Sequence, residues 1–204
     1  MEPMCKRLVF LLVVIAGVSL IPPLEATSVR IVNLEEMVQQ ADRVFRGRCL
    51  SVRSVEAVSG FPAVEYTFEV TEGVKGTRTG ESMVFRQLQA NRNGLRGIAG
   101  IPVYKEGQDL LVFLHGDSRL GLTSPVGFSQ GVFRVQDLGD GPEVLNGVNN
   151  RNLMVGGISP ASGLDLSAEE TALLSRGGSI PLRALTGAIR KIDRVQDEAN
   201  RSNQ

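Results

Sequence analysis

The single histidine of the chain, His115, is the side chain best suited to acid–base chemistry near neutral pH. It follows an apolar run and precedes Gly116 and Asp117, which is typical of a residue that ends a strand and enters a turn. A catalytic histidine needs a nucleophile within hydrogen-bond reach, and Ser118 or Ser129 could supply the hydroxyl. The sequence favours the turn, and it leaves a cell-envelope hydrolase that uses His115 as the alternative function.

Residues that bind metals are few. A structural zinc site needs three or four histidine or cysteine ligands at short spacing, whereas the chain has one histidine and two cysteines, Cys5 and Cys49. Asp137, Asp140 and Glu143 surround a glycine-rich turn and suggest calcium, but their spacing does not fit an EF-hand loop. We therefore expect a solvated turn there, and we expect no metal or other cofactor.

Cys49 lies at a position where the surrounding strand pattern calls for a small apolar residue. A buried free cysteine behaves as a small hydrophobic side chain, which is the favoured interpretation. The alternative is a reactive or intermolecular thiol, because an unpaired cysteine in an exported chain has no internal partner.

A long segment, residues 89–107, is rich in glycine, asparagine and arginine. Loops of this length inside compact domains are usually functional or disordered. We predict that it forms the interaction surface, and a merely solvated loop is the alternative. The candidate contact residues are Asn91, Arg92, Asn93, Arg96 and Lys105.

Charge composition limits the class of partner. The chain has 22 basic and 22 acidic residues, so its net charge is zero and nothing attracts it to nucleic acid in general. It has no tryptophan, and the long loop lacks the interleaved aromatic residues on which bases stack. We therefore expect an unknown protein or an envelope component as the partner, and no nucleic acid.

The first 26 residues have the order of parts of a secretory signal peptide. Lys6 and Arg7 precede the apolar run Leu8–Ile21, a Pro-Pro pair follows, and Ala26 is a small residue at the cleavage position. The run is shorter than the roughly 20 residues that span a bilayer, although an uncleaved anchor is the alternative. We predict export to the periplasm or the extracellular space, cleavage before Thr27, and no membrane span afterwards.

Helices are predicted near both ends of the mature chain. Asn33 and Glu36 have capping-box spacing, and an apolar stripe follows to Ala41. Ser167 and Glu170 repeat that spacing. A last helix is predicted from about Pro181, with a polar, frayed end beyond Arg194; its apolar seam is Leu182, Leu185, Ile189 and Ile192.

Strands are predicted between these helices. In the clearest one, Val64, Tyr66, Phe68 and Val70 alternate with Glu65, Thr67, Glu69 and Thr71, which predicts one buried and one exposed face. Further strands are predicted at residues 44–55, with a bulge near Gly47, at 83–88 and at 110–114. Residues 126–135 and 143–148 are predicted to form a hairpin.

This pattern predicts a mainly β (α+β) fold: a small, partly open antiparallel barrel, preceded by a short helix and followed by C-terminal helices. The expected organisation is a signal peptide at 1–26, the barrel at 27–148, an irregular linker with a short helix at 149–178, and a final helix with a polar tail at 179–204. Side chains such as Phe68, Val112 and Leu114 are expected to fill the barrel interior.

Three short stretches carry a family resemblance. They are Ala41-Asp42 followed by Val44-Phe45-Arg46-Gly47, the Val-x-x-x-Val-Lys-Gly pattern of residues 70–76, and Glu106-Gly107 leading into Leu110–Leu114. In this order they resemble exported bacterial proteins of unknown function whose pattern is similar to the netrin-like, or TIMP-like, OB-fold barrel. The resemblance covers residues 34–135.

The resemblance implies an architecture and no particular activity. TIMP-like inhibitors act through an amino-terminal cysteine held by disulfides, and the predicted mature chain has neither feature. We therefore expect an exported, non-enzymatic β-domain that serves as a binding or interaction module.

Overall fold

The computed structural model describes residues 30–58, 61–89, 100–157 and 166–202. A short helix precedes seven strands, and two further helices lie near the C-terminus. The elements are α1 (Leu34–Gln40), β1 (Arg43–Val58), β2 (Phe61–Lys75), β3 (Ser82–Leu88), β4 (Asp109–Leu114), a 3₁₀ helix (Phe128–Gly131), β5 (Val132–Asp137), β6 (Pro142–Asn146), α2 (Ala168–Ser175), β7 (Ile180–Pro181) and α3 (Leu182–Ser202).

All seven strands form one antiparallel sheet in the order β3-β2-β1-β4-β5-β6-β7. The fold is thus mainly β with flanking helices, as the sequence predicts. The register between β1 and β2 shifts between Arg46 and Gly47, which confirms the predicted bulge. A Cβ at Gly47 would lie 2.7 Å from the Glu69 carbonyl oxygen, so glycine permits the close approach of the two strands.

Each face of the sheet covers a separate hydrophobic cluster. Successive residues of a strand point to opposite faces, so β4 sends Leu111 and Phe113 to one side and Leu110, Val112 and Leu114 to the other. The helix-side cluster also includes the apolar faces of α1 and α3. The second cluster is built without helices and is rich in aromatic residues from β1, β2 and β3.

The second cluster confirms the predicted buried face of β2. Val64, Tyr66, Phe68 and Val70 are all buried in it. The ring centroid of Phe68 lies 5.7 Å from that of Phe45.

Both predicted capping boxes are present. The Asn33 side chain accepts a hydrogen bond from the Glu36 amide at 2.9 Å, and the Glu36 carboxylate accepts one from the Asn33 amide. Ser167 and Glu170 form the same reciprocal pair at the start of α2. The apolar seam of α3 is buried as predicted.

Two sequence predictions are wrong in detail. Helix α3 continues to Ser202 instead of fraying after Arg194, because residues 195–202 contain no glycine or proline. The strand predicted from residue 126 begins at Val132, because Gly127 and Phe128 have left-handed backbone angles that an extended strand does not accommodate.

Glu65 was expected on the exposed face of β2, and it is 6% exposed. Arg53 of β1 and Arg86 of β3 lie directly opposite it in the sheet, and both contact its carboxylate. Their hydrogen bonds hold the pKa of Glu65 below its usual value. The two cationic neighbours thus cover the carboxylate, which a single-strand pattern does not reveal.

The predicted linker range, 149–178, contributes to the helix-side cluster. Leu153 and Leu174 are buried there beside residues of α1 and β5. Within the four described ranges, no helix combines the length and the apolar character needed to cross a membrane.

Candidate functional site

The candidate site is a groove of about 470 Å³ on the face of the sheet opposite α1 and α3. Strands β4, β5 and β6 contribute Leu110, Val132, Arg134 and Leu145 to its lining. Leu110, Arg134 and Leu145 are paired across the three strands, so their side chains share this face. The groove therefore runs beside the aromatic cluster and is open to solvent.

One wall of the groove is the segment that leads into β4. Pro102, Val103, Tyr104 and Gln108 line it. Two backbone hydrogen bonds, from Cys49 N to Gln108 O at 2.9 Å and from Gly107 N to Cys49 O at 2.8 Å, attach the segment to β1. The C-terminal part of the predicted interaction loop is thus a fixed wall of the groove.

Side-chain packing fixes the same wall further. Tyr104 is 2% exposed, and its ring centroid lies 4.8 Å from that of Tyr66 and 5.6 Å from that of Phe68. The Gln87 amide donates to Pro102 O at 2.6 Å. Tyr104 Oη and Gln87 Oε1 are buried and have no hydrogen-bond partner in the described part of the chain.

The opposite wall is formed by Ser129, Asn146 and Gly147. The Gly147 amide donates to Ser129 O at 2.9 Å, and a Cβ at Gly147 would lie 2.5 Å from the Ser129 Cβ. Glycine at position 147 therefore lets the two segments meet at this edge.

A buried network of four amide side chains holds this wall in place. Its members, each less than 7% exposed, are Gln130, Asn146, Asn150 and Asn152. Each side chain uses both its oxygen and its nitrogen in hydrogen bonds, as buried amides require. The network joins the end of β6 to residues 30–32 and 178, so the groove wall is tied to the amino-terminal segment.

Sequence reasoning did not identify this network, although a signal is present. Residues 146–152 contain four asparagines among seven residues. Asn149 and Asn150 have positive φ angles of 61° and 55°, which asparagine adopts more readily than other non-glycine residues. Asparagine density predicts turns in general, whereas the burial of the side chains depends on distant segments.

His115 lies at the end of β4 and is partly buried, as expected for a strand-end residue. Its Nδ1 lies 3.2 Å from Gln40 O, and Ser118 Oγ accepts a hydrogen bond from Leu122 N. No hydrogen bond joins the His115 ring to a serine hydroxyl in the described residues.

Ser129 lies in Gly127–Gly131, which matches the G-x-S-x-G pattern of a nucleophile elbow. In such an elbow a strained serine stands between a strand and a following helix. Here Ser129 lies in a 3₁₀ helix that precedes a strand, and the positive φ angles belong to Gly127 and Phe128. The local geometry is therefore that of a groove wall and not of an elbow.

Cys49 is 1% exposed within the aromatic cluster, in agreement with its interpretation as a core residue. Burial raises the pKa of its thiol to about 11, and the nearby Glu106 carboxylate adds to the effect. Burial likewise raises the pKa of the Tyr104 hydroxyl well above its ordinary value. Both groups are neutral at physiological pH.

The other predicted site residues are dispersed. Asp137 Oδ1 accepts a hydrogen bond from Gly139 N at 3.1 Å within the β5–β6 turn. The described residues contain no group of three histidine, cysteine or acidic side chains placed to bind a metal. Lys105 is exposed beside the groove wall, and Asn91, Arg92, Asn93 and Arg96 lie outside the described residues.

Comparison of the chain with protein-family models, with curated proteins and with solved structures finds no match to any of them.

Proposed function

We propose that this protein is an exported, non-enzymatic binding module and that the groove between residues 102–108 and Ser129, Asn146 and Gly147 is its binding site. The observation that carries the proposal is the construction of the two walls. Each is fixed by buried hydrogen bonds or aromatic packing, although only Asn146, at the end of β6, belongs to a strand among the described wall residues. A preorganised concave surface with an apolar and polar lining is the usual form of a ligand site.

We also propose that the sheet closes as an OB-like barrel of the netrin-like type. In the order β3-β2-β1-β4-β5, closure brings β3 towards β5. The Thr123 amide, in the connection between β4 and β5, donates to Arg86 O of β3 at 2.8 Å, which supports this arrangement. The family resemblance of residues 34–135 points to the same architecture.

Export of the mature chain from Thr27 is the third part of the proposal. It rests on the order of charged, apolar and small residues in the first 26 positions. Amino-terminal sequencing of the protein from an envelope or culture fraction tests it, and an intact Met1 in that fraction would exclude cleavage.

The binding site is tested by obstructing the groove. Ser129 is exposed on the wall, so Ser129→Trp fills space without replacing a core residue. We expect an immobilised variant to lose the envelope components that the unchanged mature chain captures. Ser175→Trp, at the exposed end of α2 on the helix side of the sheet, is the matched control. Retention of every captured component by Ser129→Trp, with an unchanged circular dichroism spectrum, would refute the groove as the site.

A further inference from the structure

We propose that the groove binds a ligand with a carboxylate group and that the Arg134 guanidinium binds this carboxylate. The inference rests on the proposed function, and it specifies the chemistry of the ligand. Its basis is the distribution of charge around the groove and the set of free hydrogen-bond donors on the walls.

Arg134 is the only charged residue in the described lining of the groove, and no acidic side chain lies there. Its cross-strand neighbours are Leu110 and Leu145, so no acidic residue is directly opposite it in the sheet. On the face that carries Arg134, the nearest acidic position in the β5–β6 ladder is Glu143, which is opposite Gln136, and no ion pair joins Glu143 to Arg134 among the described residues.

Several other arginines of the sheet form ion pairs with acidic side chains. Arg46 makes three hydrogen bonds to the Asp109 carboxylate at 2.7–3.3 Å, and Arg53 and Arg86 share Glu65. The shallow depression on α3 combines Arg190, Arg194 and Arg201 with three acidic residues. The groove is therefore a concave surface with one uncompensated positive charge.

Neutral donors accompany this charge. Gln108 Oε1 accepts a hydrogen bond from the Lys105 amide at 2.8 Å, which leaves the Gln108 amino group to donate elsewhere. The Ser129 hydroxyl is exposed on the other wall. A guanidinium binds a planar carboxylate through two parallel hydrogen bonds, and one positive charge matches one negative charge. Val132 and Leu145 line the groove and are partly exposed, so they offer apolar contact to the remainder of the ligand.

The test distinguishes two chemical sources of a carboxylate, a peptide C-terminus and an acidic sugar. The probes are therefore an N-acetylated alanine dipeptide with a free C-terminus, its C-terminal amide, glucuronic acid and glucose. Each is titrated into the ¹⁵N-labelled mature chain to about 10 mM, since weak single-site ligands have dissociation constants near the millimolar range.

We expect saturable amide shifts at Val132, Arg134 and Gly147 with at least one acid and not with its neutral counterpart. The acid that saturates identifies the source. Arg134→Gln should weaken this binding by roughly tenfold or more, because a hydrogen-bonded ion pair is lost. The affinity of Arg134→Lys should lie between those of the unchanged chain and of Arg134→Gln, since lysine keeps the positive charge but cannot form two parallel hydrogen bonds. Arg183→Gln, an exposed substitution on α3, should leave binding unchanged.

Three results would overturn the inference: equal shifts with acid and neutral probes, no saturable shift with either acid, or full affinity in Arg134→Gln. The proposed function fails by a different result, namely capture that survives Ser129→Trp. If Ser129→Trp abolishes capture and Arg134→Gln leaves it unchanged, the groove binds a neutral ligand.

Discussion

Replacing Asn146 by alanine measures how much the buried amide network stabilises the fold. Asn146 Nδ2 donates to Gln130 O and to Asn152 Oδ1, both at 2.9 Å. Its Oδ1 accepts from Val148 N at 3.1 Å and from Asn150 N at 2.7 Å. Truncation removes all four hydrogen bonds at once, and water reaches only the exposed edge near Val148.

The expected loss follows from the three partners that stay buried. An unsatisfied buried group costs about 1–3 kcal/mol, and neighbouring losses are less than additive because the network relaxes. We expect Asn146→Ala to lower the free energy of unfolding by about 3–5 kcal/mol. For a chain of this size that corresponds to a fall of about 6–20 °C in the midpoint of thermal unfolding.

The measurement is a guanidinium titration followed by far-ultraviolet circular dichroism, because the chain has no tryptophan. Asn200→Ala, the same change at an exposed position of α3, should stay within about 0.5 kcal/mol. Asn146→Asp should lower the free energy of unfolding more than Asn146→Ala does at pH 7, since its second carboxylate oxygen would face two acceptor oxygens, Gln130 O and Asn152 Oδ1. A loss below about 1 kcal/mol, or an aspartate variant more stable than the alanine variant, would refute the reasoning.

Three further predictions concern the aromatic cluster and its surroundings. Phe68→Ala should lower the free energy of unfolding by about 3–5 kcal/mol, because the ring is fully buried. Glu69 is exposed on the same strand, so Glu69→Ala should change it by under about 0.5 kcal/mol in the same guanidinium titration. The pKa of Glu65 is lower in the folded chain, so the ionised carboxylate stabilises the fold above its unfolded pKa of about 4.3, and this stabilisation is lost as the pH falls through the folded pKa. Urea titrations at neutral and acid pH should therefore show that Glu65→Gln loses less stability in acid than the unchanged chain. An identical pH dependence of the two proteins would contradict this. In the chain without residues 1–26, Cys49 should resist a thiol reagent at about pH 8 while folded and react after unfolding in guanidinium; rapid labelling of the folded chain would show that the thiol is accessible.

The elements that the sequence predicts well are those with local signals. The capping box at Asn33 and Glu36 requires residues three apart, and the buried face of β2 follows from alternation within one strand. The apolar run Leu110–Leu114 correctly predicts a central strand, since both of its faces are covered. In each case the residues that determine the structure lie within a few positions of one another.

The features that it misses depend on distant partners. Glu65 is buried because arginines from two other strands cover its carboxylate, and Tyr104 is a core residue although it lies in a glycine-rich segment. The groove needs Gln108, Arg134 and Gly147 in one place, which only the register of β4, β5 and β6 establishes. Local patterns hold no information about such pairings.

The packing of α1 against α3 has a consequence for how the chain is made. Both helices contribute to the helix-side cluster, and Gln196 of α3 donates a hydrogen bond to Glu35 O of α1 at 3.2 Å. Ribosomes synthesise the amino-terminal element first, so the apolar face of α3, against which Leu34 and Met37 pack, is synthesised about 150 residues after them. The helix-side cluster is therefore completed only after synthesis has reached α3, whereas the aromatic cluster contains no residue of α3 and can form before it.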